Sequence, residues 1–221
     1  MSVDNQQMPY KCITCKHGLE LKSKQSNVIV CSFCASINYG SSFVEPWKNV
    51  SGTPLQLLSL LAIGSNIKCK QISGKIIGYI EWQLINGTVI LWNLIDGQNN
   101  VHYISECRGS FFLYEKVAKE FVENFVFDNI KSGKVITLLE EKEYHNYMVS
   151  HKAKNKRYDI FGEVYFPLNT EPLCNHILAY DENGNSLLVL QFNKTQNQIW
   201  KGKALNIAIN DIENPKFKLV G

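Results

Sequence analysis

The sequence lacks long hydrophobic runs and a strong excess of charge of either sign. Its longest apolar run, LQLLSLLAI at residues 55–63, is far shorter than the roughly 20 residues that a membrane-spanning helix needs. The formal net charge of +3 is too small to demand an acidic partner. The first ten residues hold no basic segment followed by an apolar one, so we expect no secretory signal peptide. These absences favour a soluble, cytoplasmic protein without a transmembrane segment.

The chain also lacks the motifs of common catalytic sites. It contains no GxSxG nucleophile turn, no phosphate-binding GxxxxGK[ST] loop, no GxGxxG after a strand and no HExxH helix. Its five histidines are not spaced as ligands on one helix would be. We therefore predict a protein that is not an enzyme.

Cysteine is the residue type that carries a pattern. The chain has seven cysteines, an odd number, and we expect no disulfide framework in a reducing compartment. Cys12 and Cys15 form one CxxC pair, Cys31 and Cys34 form a second, and 15 residues separate the pairs. Zinc takes four tetrahedral ligands and binds thiolates strongly, and each CxxC turn offers two of them. The spacing predicts a zinc ribbon that holds one zinc ion per chain.

Four cysteine ligands make a closed site, so the predicted zinc is structural. Two alternatives remain open. The four thiols could be unrelated reduced cysteines, or one pair could be a redox dithiol, although a redox CxxC usually sits in a βαβ unit. His17 could replace one ligand. The other three cysteines are interpreted as small buried hydrophobic residues: Cys69, Cys107 and Cys174.

After the ribbon the pattern is mainly β. Short β-branched and aromatic runs are broken by SG, NG and DG dipeptides, which mark hairpins. We predict a zinc ribbon at 1–45, a linker at 46–58, a first β-unit at 59–127 and a second at 128–221. The two units are expected to be small and barrel-like or sandwich-like. Residues 114–129 fit either a short helix or an irregular connector.

The two β-units look like copies of each other. At an offset of 87 residues ILWNLIDGQNNVHYI aligns without gaps on ILAYDENGNSLLVLQ, which places Gly97 on Gly184 and Leu113 on Trp200. Identity is low, so chance similarity between two β-meanders remains an alternative to duplication.

The stretch HKAKNKRYD is the strongest electrostatic feature of the chain. Lys152, Lys154 and Lys156 alternate, so on a strand they share one face, with Arg157 beside them. These four residues are a candidate site for phosphates or another anionic surface. They fit equally well an edge strand that lysines protect from sheet-to-sheet pairing.

Several short segments resemble bacterial proteins of domain-of-unknown-function family 4178. They are the ribbon, LAIGSNIKCKQISGKIIGYIEW, GSFFLYEKV, GEVYFP at residues 162–167 and the late strand with Trp200 and Gly202. The chain departs from the family pattern where Asn93 follows Trp92, and it lacks the acidic residue before the last tryptophan strand. The resemblance covers most of the chain. Because members are encoded beside genes for polyamine synthesis and membrane-stress proteins, it implies an accessory or sensor role, with no known activity.

Three functions follow as hypotheses. The first is a non-enzymatic interaction or sensor module whose partner is a protein. The second is a nucleic-acid-binding protein that uses the 151–157 stretch and the ribbon lysines, which are Lys11, Lys16, Lys22 and Lys24. The third is a small-ligand binder or enzyme with a site between the β-units, lined by Trp82, Trp92 or Tyr103.

Overall fold

A computed structural model describes residues 10–23, 25–39, 59–84, 87–107, 109–117, 126–140, 142–165, 173–191 and 197–213. These residues are mainly β, as predicted, and all their strand pairings are antiparallel. The strands, in chain order, are β1 Tyr10–Lys11, β2 Gly18–Leu19, β3 Val28–Val30, β4 Ile37–Tyr39, β5 Asn66–Lys68, β6 Ser73–Leu84, β7 Gly87–Ile95, β8 Val101–Cys107, β9 Ser110–Lys116, β10 Val135–Glu140, β11 Glu143–Val164, β12 Leu173–Tyr180, β13 Ser186–Gln191, β14 Asn197–Leu205 and β15 Ile212–Glu213.

Helical structure in the described residues is confined to two 3₁₀ turns, Phe127–Asn129 and Ile209–Asp211. The segment predicted as a helix or connector falls partly on β9 and the first of these turns, and its residues 118–125 lie outside the described part. The predicted linker, residues 46–58, lies outside it as well. Among the described residues no helix is long and apolar enough to cross a membrane.

One large antiparallel sheet contains both β-units and part of the ribbon. Its path runs β15-β5-β6-β7-β8-β9-β14-β13-β12-β11-β3-β4, with β10 paired to β11. Strand β11 also pairs with β6, through Tyr158–Gly162, whereas β12 pairs with β11 only as far as Arg157. β6 and β12 thus belong to different halves and pair with successive stretches of β11. The two halves therefore share one sheet instead of forming two separate barrels.

Three hydrophobic clusters stabilise this sheet. The largest draws residues from both β-units and from the ribbon, and its biggest buried side chains include Trp82, Tyr158 and Trp200. A second cluster around Trp92 covers the outer face of the first unit. A third around Tyr147 covers the outer face of the second unit. The central strands are buried on both faces, which explains their nearly continuous hydrophobic runs.

The two units carry the same turn. Asp96 Oδ1 accepts hydrogen bonds from the N–H groups of Gln98 and Asn100, both at 2.8 Å. Asp181 Oδ1 accepts them from Asn183 at 2.9 Å and Asn185 at 2.7 Å. Asn99 and Gly184 have left-handed backbones, with φ of 66° and 78°.

These equivalent turns correct the predicted alignment. They place Asp96 on Asp181 and Asn99 on Gly184, which is an offset of 85 residues instead of 87. The same offset makes Leu188 the equivalent of Tyr103. Tyr114 pairs with Tyr103, and Trp200 pairs with Leu188. Tyr114, and not Leu113, is therefore the counterpart of Trp200, and the offset in this last strand is 86 residues. The corrected alignment supports a structural duplication.

Candidate metal centre

The two CxxC pairs occupy the tips of two short hairpins. The first tip joins β1 to β2 and holds Cys12 and Cys15, and the second joins β3 to β4 and holds Cys31 and Cys34. Each hairpin has strands of only two or three residues, so it has little core of its own. The ribbon cluster consists of Leu19, Ile29 and the cysteines, with a few half-buried neighbours. A unit this small needs additional stabilisation beyond hydrophobic burial.

Both tips have the same backbone geometry. In the first, Cys12 N–H donates to His17 O and Lys16 N–H donates to Cys12 O, each at 2.8 Å. In the second, Cys31 N–H donates to Ser36 O and Ala35 N–H to Cys31 O, each at 2.9 Å. Lys16 and Ala35 occupy equivalent positions with left-handed φ of 62° and 56°. This conformation is costly for residues other than glycine, so it has to be stabilised by the rest of the site.

The four sulfur atoms converge on one point. All four lie within 4.8 Å of one another. Cys12 Sγ is 3.6 Å from Cys34 Sγ, and Cys15 Sγ is 3.7 Å from Cys31 Sγ. Sulfurs at about 2.3 Å from a tetrahedral zinc ion would be about 3.8 Å apart. The predicted ligands therefore form a cluster that could hold a metal ion, and its donors and dimensions fit zinc.

Hydrogen bonds from Ser36 favour the thiolate form of Cys34, whereas burial and the neighbouring sulfurs raise the pKa of Cys15 to about 12. The Ser36 hydroxyl lies 3.2 Å from Cys34 Sγ, and its hydrogen bond, with that of the Ser36 N–H, lowers the pKa of Cys34 to about 6. Asn38 is fully buried behind the cluster. Its Oδ1 accepts from Ile13 N–H at 3.1 Å and its Nδ2 donates to Ser36 O at 3.1 Å, which ties one tip to the other.

His17 and the other three cysteines are not part of the sulfur cluster. His17 is exposed and stacks on the exposed ring of Phe33, with centroids 5.4 Å apart, so it does not join the sulfur cluster. Cys107 and Cys174 are buried, as predicted, and Cys69 is half-buried. Trp82 Nε1–H donates to Cys174 Sγ at 3.0 Å, and burial raises the pKa of Cys174 to about 12.

A buried carboxylate fixes the ribbon to the large sheet. Glu163 is 2% exposed and accepts from Lys22 N–H and Ser23 N–H, both at 2.7 Å, and from the Ser26 hydroxyl at 2.5 Å. Beside it, β3 pairs with the end of β11 through Glu163↔Ile29 and Val164↔Val28. The ribbon is therefore docked by a strand pairing and by three hydrogen bonds to one side chain.

Two glycines allow the backbones of β6 and β11 to approach each other closely beside Glu163. Gly78 pairs with Gly162, which has a left-handed φ of 71°. A Cβ on Gly78 would lie 2.2 Å from Glu163 O, and one on Gly162 would lie 2.5 Å from Ile77 O. The two backbones approach so closely that no side chain fits between them. The position of Glu163 depends on this contact.

We expect Glu163→Gln to weaken the docking of the ribbon. The amide nitrogen of glutamine cannot accept a hydrogen bond, so at least one buried donor of the ribbon loses its partner. The expected cost is about 2 kcal/mol in the free energy of unfolding. Urea unfolding checks this value, and Glu20→Gln on the exposed ribbon surface is the matched control. Equal stability of the two variants would contradict the anchoring role of Glu163.

The candidate anion-binding residues contact other groups of the protein where the structure describes their side chains. Lys152 Nζ donates to the carbonyl oxygens of Phe127 at 2.7 Å and Ile130 at 2.6 Å, and it lies 4.6 Å from the Phe127 ring centroid. Lys154 forms an ion pair with Asp128. Lys152 thus holds the 3₁₀ turn against β11. The side chains of Lys156 and Arg157 lie outside the described part.

The aromatic residues predicted to line a ligand site belong to the core. Trp82 and Trp92 are each 1% exposed and Tyr103 is 7% exposed. Trp92 Nε1–H donates to Glu106 Oε2 at 2.9 Å, and the Tyr103 hydroxyl donates to Tyr165 O at 2.7 Å. Two grooves on the described surface are lined by other residues.

No family model, curated protein or solved structure matches this chain. The resemblance to family 4178 consequently stays a prediction. What the fold and the site define is a class: a mainly β protein with a four-cysteine cluster that could bind a metal ion.

Proposed function

We propose that this protein is a non-enzymatic binding protein in which one structural zinc ion stabilises a ribbon that is docked on a large β-sheet. The observation that carries the proposal is the docking of the ribbon, because Glu163 and the β3–β11 pairing join it to the sheet. Ribbon and sheet then form one recognition surface for a protein partner. This is consistent with the accessory or sensor role that the family resemblance implies.

The chemistry of the donor set supports a structural ion. Four thiolates fill the tetrahedron of zinc and leave no position for a water molecule that could act as a nucleophile. The ion would supply folding free energy to a ribbon with little core of its own. Cys12, Cys15, Cys31 and Cys34 would hold it, while Asn38 and Ser36 orient the two tips.

Charge at the ribbon weighs against the nucleic-acid hypothesis. The described ribbon lysines are Lys11, Lys16 and Lys22, and all three are exposed. A zinc ion with four thiolates carries net negative charge, and Glu20 and Glu163 add two carboxylates. The lysines therefore offset nearby negative charge and do not form a strongly basic surface of the kind that phosphates require.

Affinity purification of the tagged full-length chain from cells that express it tests this function. We expect a protein to co-purify at a fixed ratio with the natural chain and to be lost with the Cys12→Ser, Cys15→Ser double variant. Recovery of nuclease-sensitive nucleic acid in place of protein would favour the second hypothesis. Recovery of the same proteins with both chains would contradict a role for the ribbon in recognition.

A further inference from the structure

Four exposed apolar side chains lie on one face of the β10–β11 hairpin. Directly opposed residues of an antiparallel pair point to the same face, and the register pairs Val135 with Met148 and Leu139 with Tyr144. Their exposed fractions are 49%, 59%, 43% and 66%. We call these four residues the hairpin face. The other side of the hairpin is buried in the outer cluster through Ile136, Leu138 and Tyr147.

The centre of the hairpin face can be covered at little cost. Between the two apolar pairs, the Thr137 hydroxyl donates to Asn146 Oδ1 at 2.8 Å. This hydrogen bond can stay intact beneath a partner, so the hydroxyl and the Oδ1 atom do not lose their hydrogen bond when they are covered. Two exposed apolar pairs on one face favour a binding surface, since exposed apolar residues are more often scattered singly.

The hairpin face continues the inner side of the sheet. Met148 pairs with Tyr180, and Tyr180 packs against the largest hydrophobic cluster, with its ring 5.7 Å from that of Phe112. A groove of about 540 Å³ opens between the hairpin face and the β12–β13 turn. Its apolar wall therefore rests on rigid core and does not depend on a loop for its shape.

The rim of this groove is acidic. Asp181 and Glu182 line it, together with His145, and no lysine or arginine is among its described lining residues. The carboxylate of Asp181 is held in place by the N–H groups of Asn183 and Asn185. Fixed negative charge beside an apolar wall favours a ligand that combines apolar side chains with a cationic group.

From this complementarity we infer that the hairpin face and its groove bind a segment of another protein that presents apolar side chains flanked by lysine or arginine. The inference rests on the proposed function and names one part of the recognition surface, the part that lies on the large sheet. A second copy of this chain is the less favourable occupant, because a two-fold interface would bring the same acidic rim from both copies together.

Two eight-residue peptides test the inference in fluorescence anisotropy. Both have three large apolar residues alternating with serine, and one ends in lysines while the other ends in glutamates. We expect the lysine-ended peptide to bind the natural chain at least tenfold more tightly than the glutamate-ended one. Tyr144→Ser removes an aromatic anchor and should weaken that binding about tenfold. Glu182→Lys should remove most of the preference for lysine.

Phe33→Ser is the matched control, because it also removes an exposed aromatic ring but lies on the ribbon, away from the hairpin face. It should leave peptide binding unchanged. Equal binding of the two peptides, or binding that Tyr144→Ser does not affect, would overturn the inference. So would a dimer of the natural chain in sedimentation that Tyr144→Ser dissociates, since the occupant would then be a second copy.

The affinity purification described above separates the two proposals. A protein partner that is lost with the cysteine double variant but retained with Tyr144→Ser would leave the proposed function standing and remove the hairpin face as its surface. A partner lost with Tyr144→Ser, while the variant keeps its metal and its unfolding midpoint, would support both proposals.

Discussion

Loss of Cys12 and Cys15 should release the metal and unfold the ribbon while the large sheet stays folded. Purified natural protein is expected to contain one zinc ion per chain, and Cys12→Ser, Cys15→Ser none. Structural zinc contributes about 10–16 kcal/mol to the folding of small zinc-binding domains, far more than the ribbon cluster can supply alone. The sheet retains its three hydrophobic clusters, although the largest loses its contacts with Val28 and Ile37.

Metal analysis and amide hydrogen exchange check this expectation. Exchange should become fast in residues 10–39 and stay slow in β7, β8 and β13. Cys69→Ser is the matched control, because Cys69 is half-buried and not part of the sulfur cluster, and it should leave metal content unchanged. The zinc-ribbon interpretation would be contradicted by natural protein that contains no metal, or by a double variant that retains the metal.

Gly78→Ala should destabilise the protein by about 3 kcal/mol. Its new methyl group would lie 2.2 Å from Glu163 O and 2.6 Å from Phe161 O and Glu163 N. These are backbone atoms, so no side-chain movement can relieve the overlap. The β6–β11 pairing has to open, and Glu163 then moves away from the ribbon. Urea unfolding followed by circular dichroism measures the loss.

The control for this substitution is Gly97→Ala. Gly97 lies in the β7–β8 turn and has no left-handed φ, and a methyl group added there would meet no atom within 4 Å. Its free energy of unfolding should change by no more than about 0.5 kcal/mol. A similar decrease in the free energy of unfolding in both variants would contradict a tight contact between the paired strands β6 and β11.

The cysteine cluster and the mainly β fold could be predicted from sequence because both are local patterns. The CxxC spacing specifies two ligand-bearing tips without any tertiary information, and strand periodicity with turn dipeptides specifies the fold class. The supporting residues could not be found this way. Glu163 reaches its partners from β11, and its occurrence in the GEVYFP segment gave no indication of which residues it contacts.

The lysine-rich stretch shows the limit of local patterns in another way. Alternation places Lys152 and Lys154 on one face, and β11 confirms that strand. Whether such a face meets solvent, an anion or the protein itself depends on what folds against it. Here the 3₁₀ turn Phe127–Asn129 presents its carbonyl groups and Asp128 to the two lysines. That turn is too short to leave a periodic signal in the sequence.

The alignment of the two halves failed by two residues for a similar reason. Sequence comparison matched Gly97 with Gly184 because glycine is the usual residue for a turn. In the structure, Asn99 adopts the left-handed conformation that Gly184 adopts in the second half. Asparagine tolerates this conformation better than most residues, so the equivalent position carries a different residue type. The hydrogen bonds of Asp96 and Asp181 identify the true correspondence.

The anchoring of the ribbon by Glu163 also orders events during synthesis. Ser23 and Glu163 are separated by 140 residues along the chain. The four cysteines of the cluster leave the ribosome before Glu163 does, and chains emerge at about 5–20 residues per second. The metal site can close once Cys34 has emerged, but its docking surface stays exposed to water until β11 has been made. The ribbon can thus fold before the strand that docks it has been made.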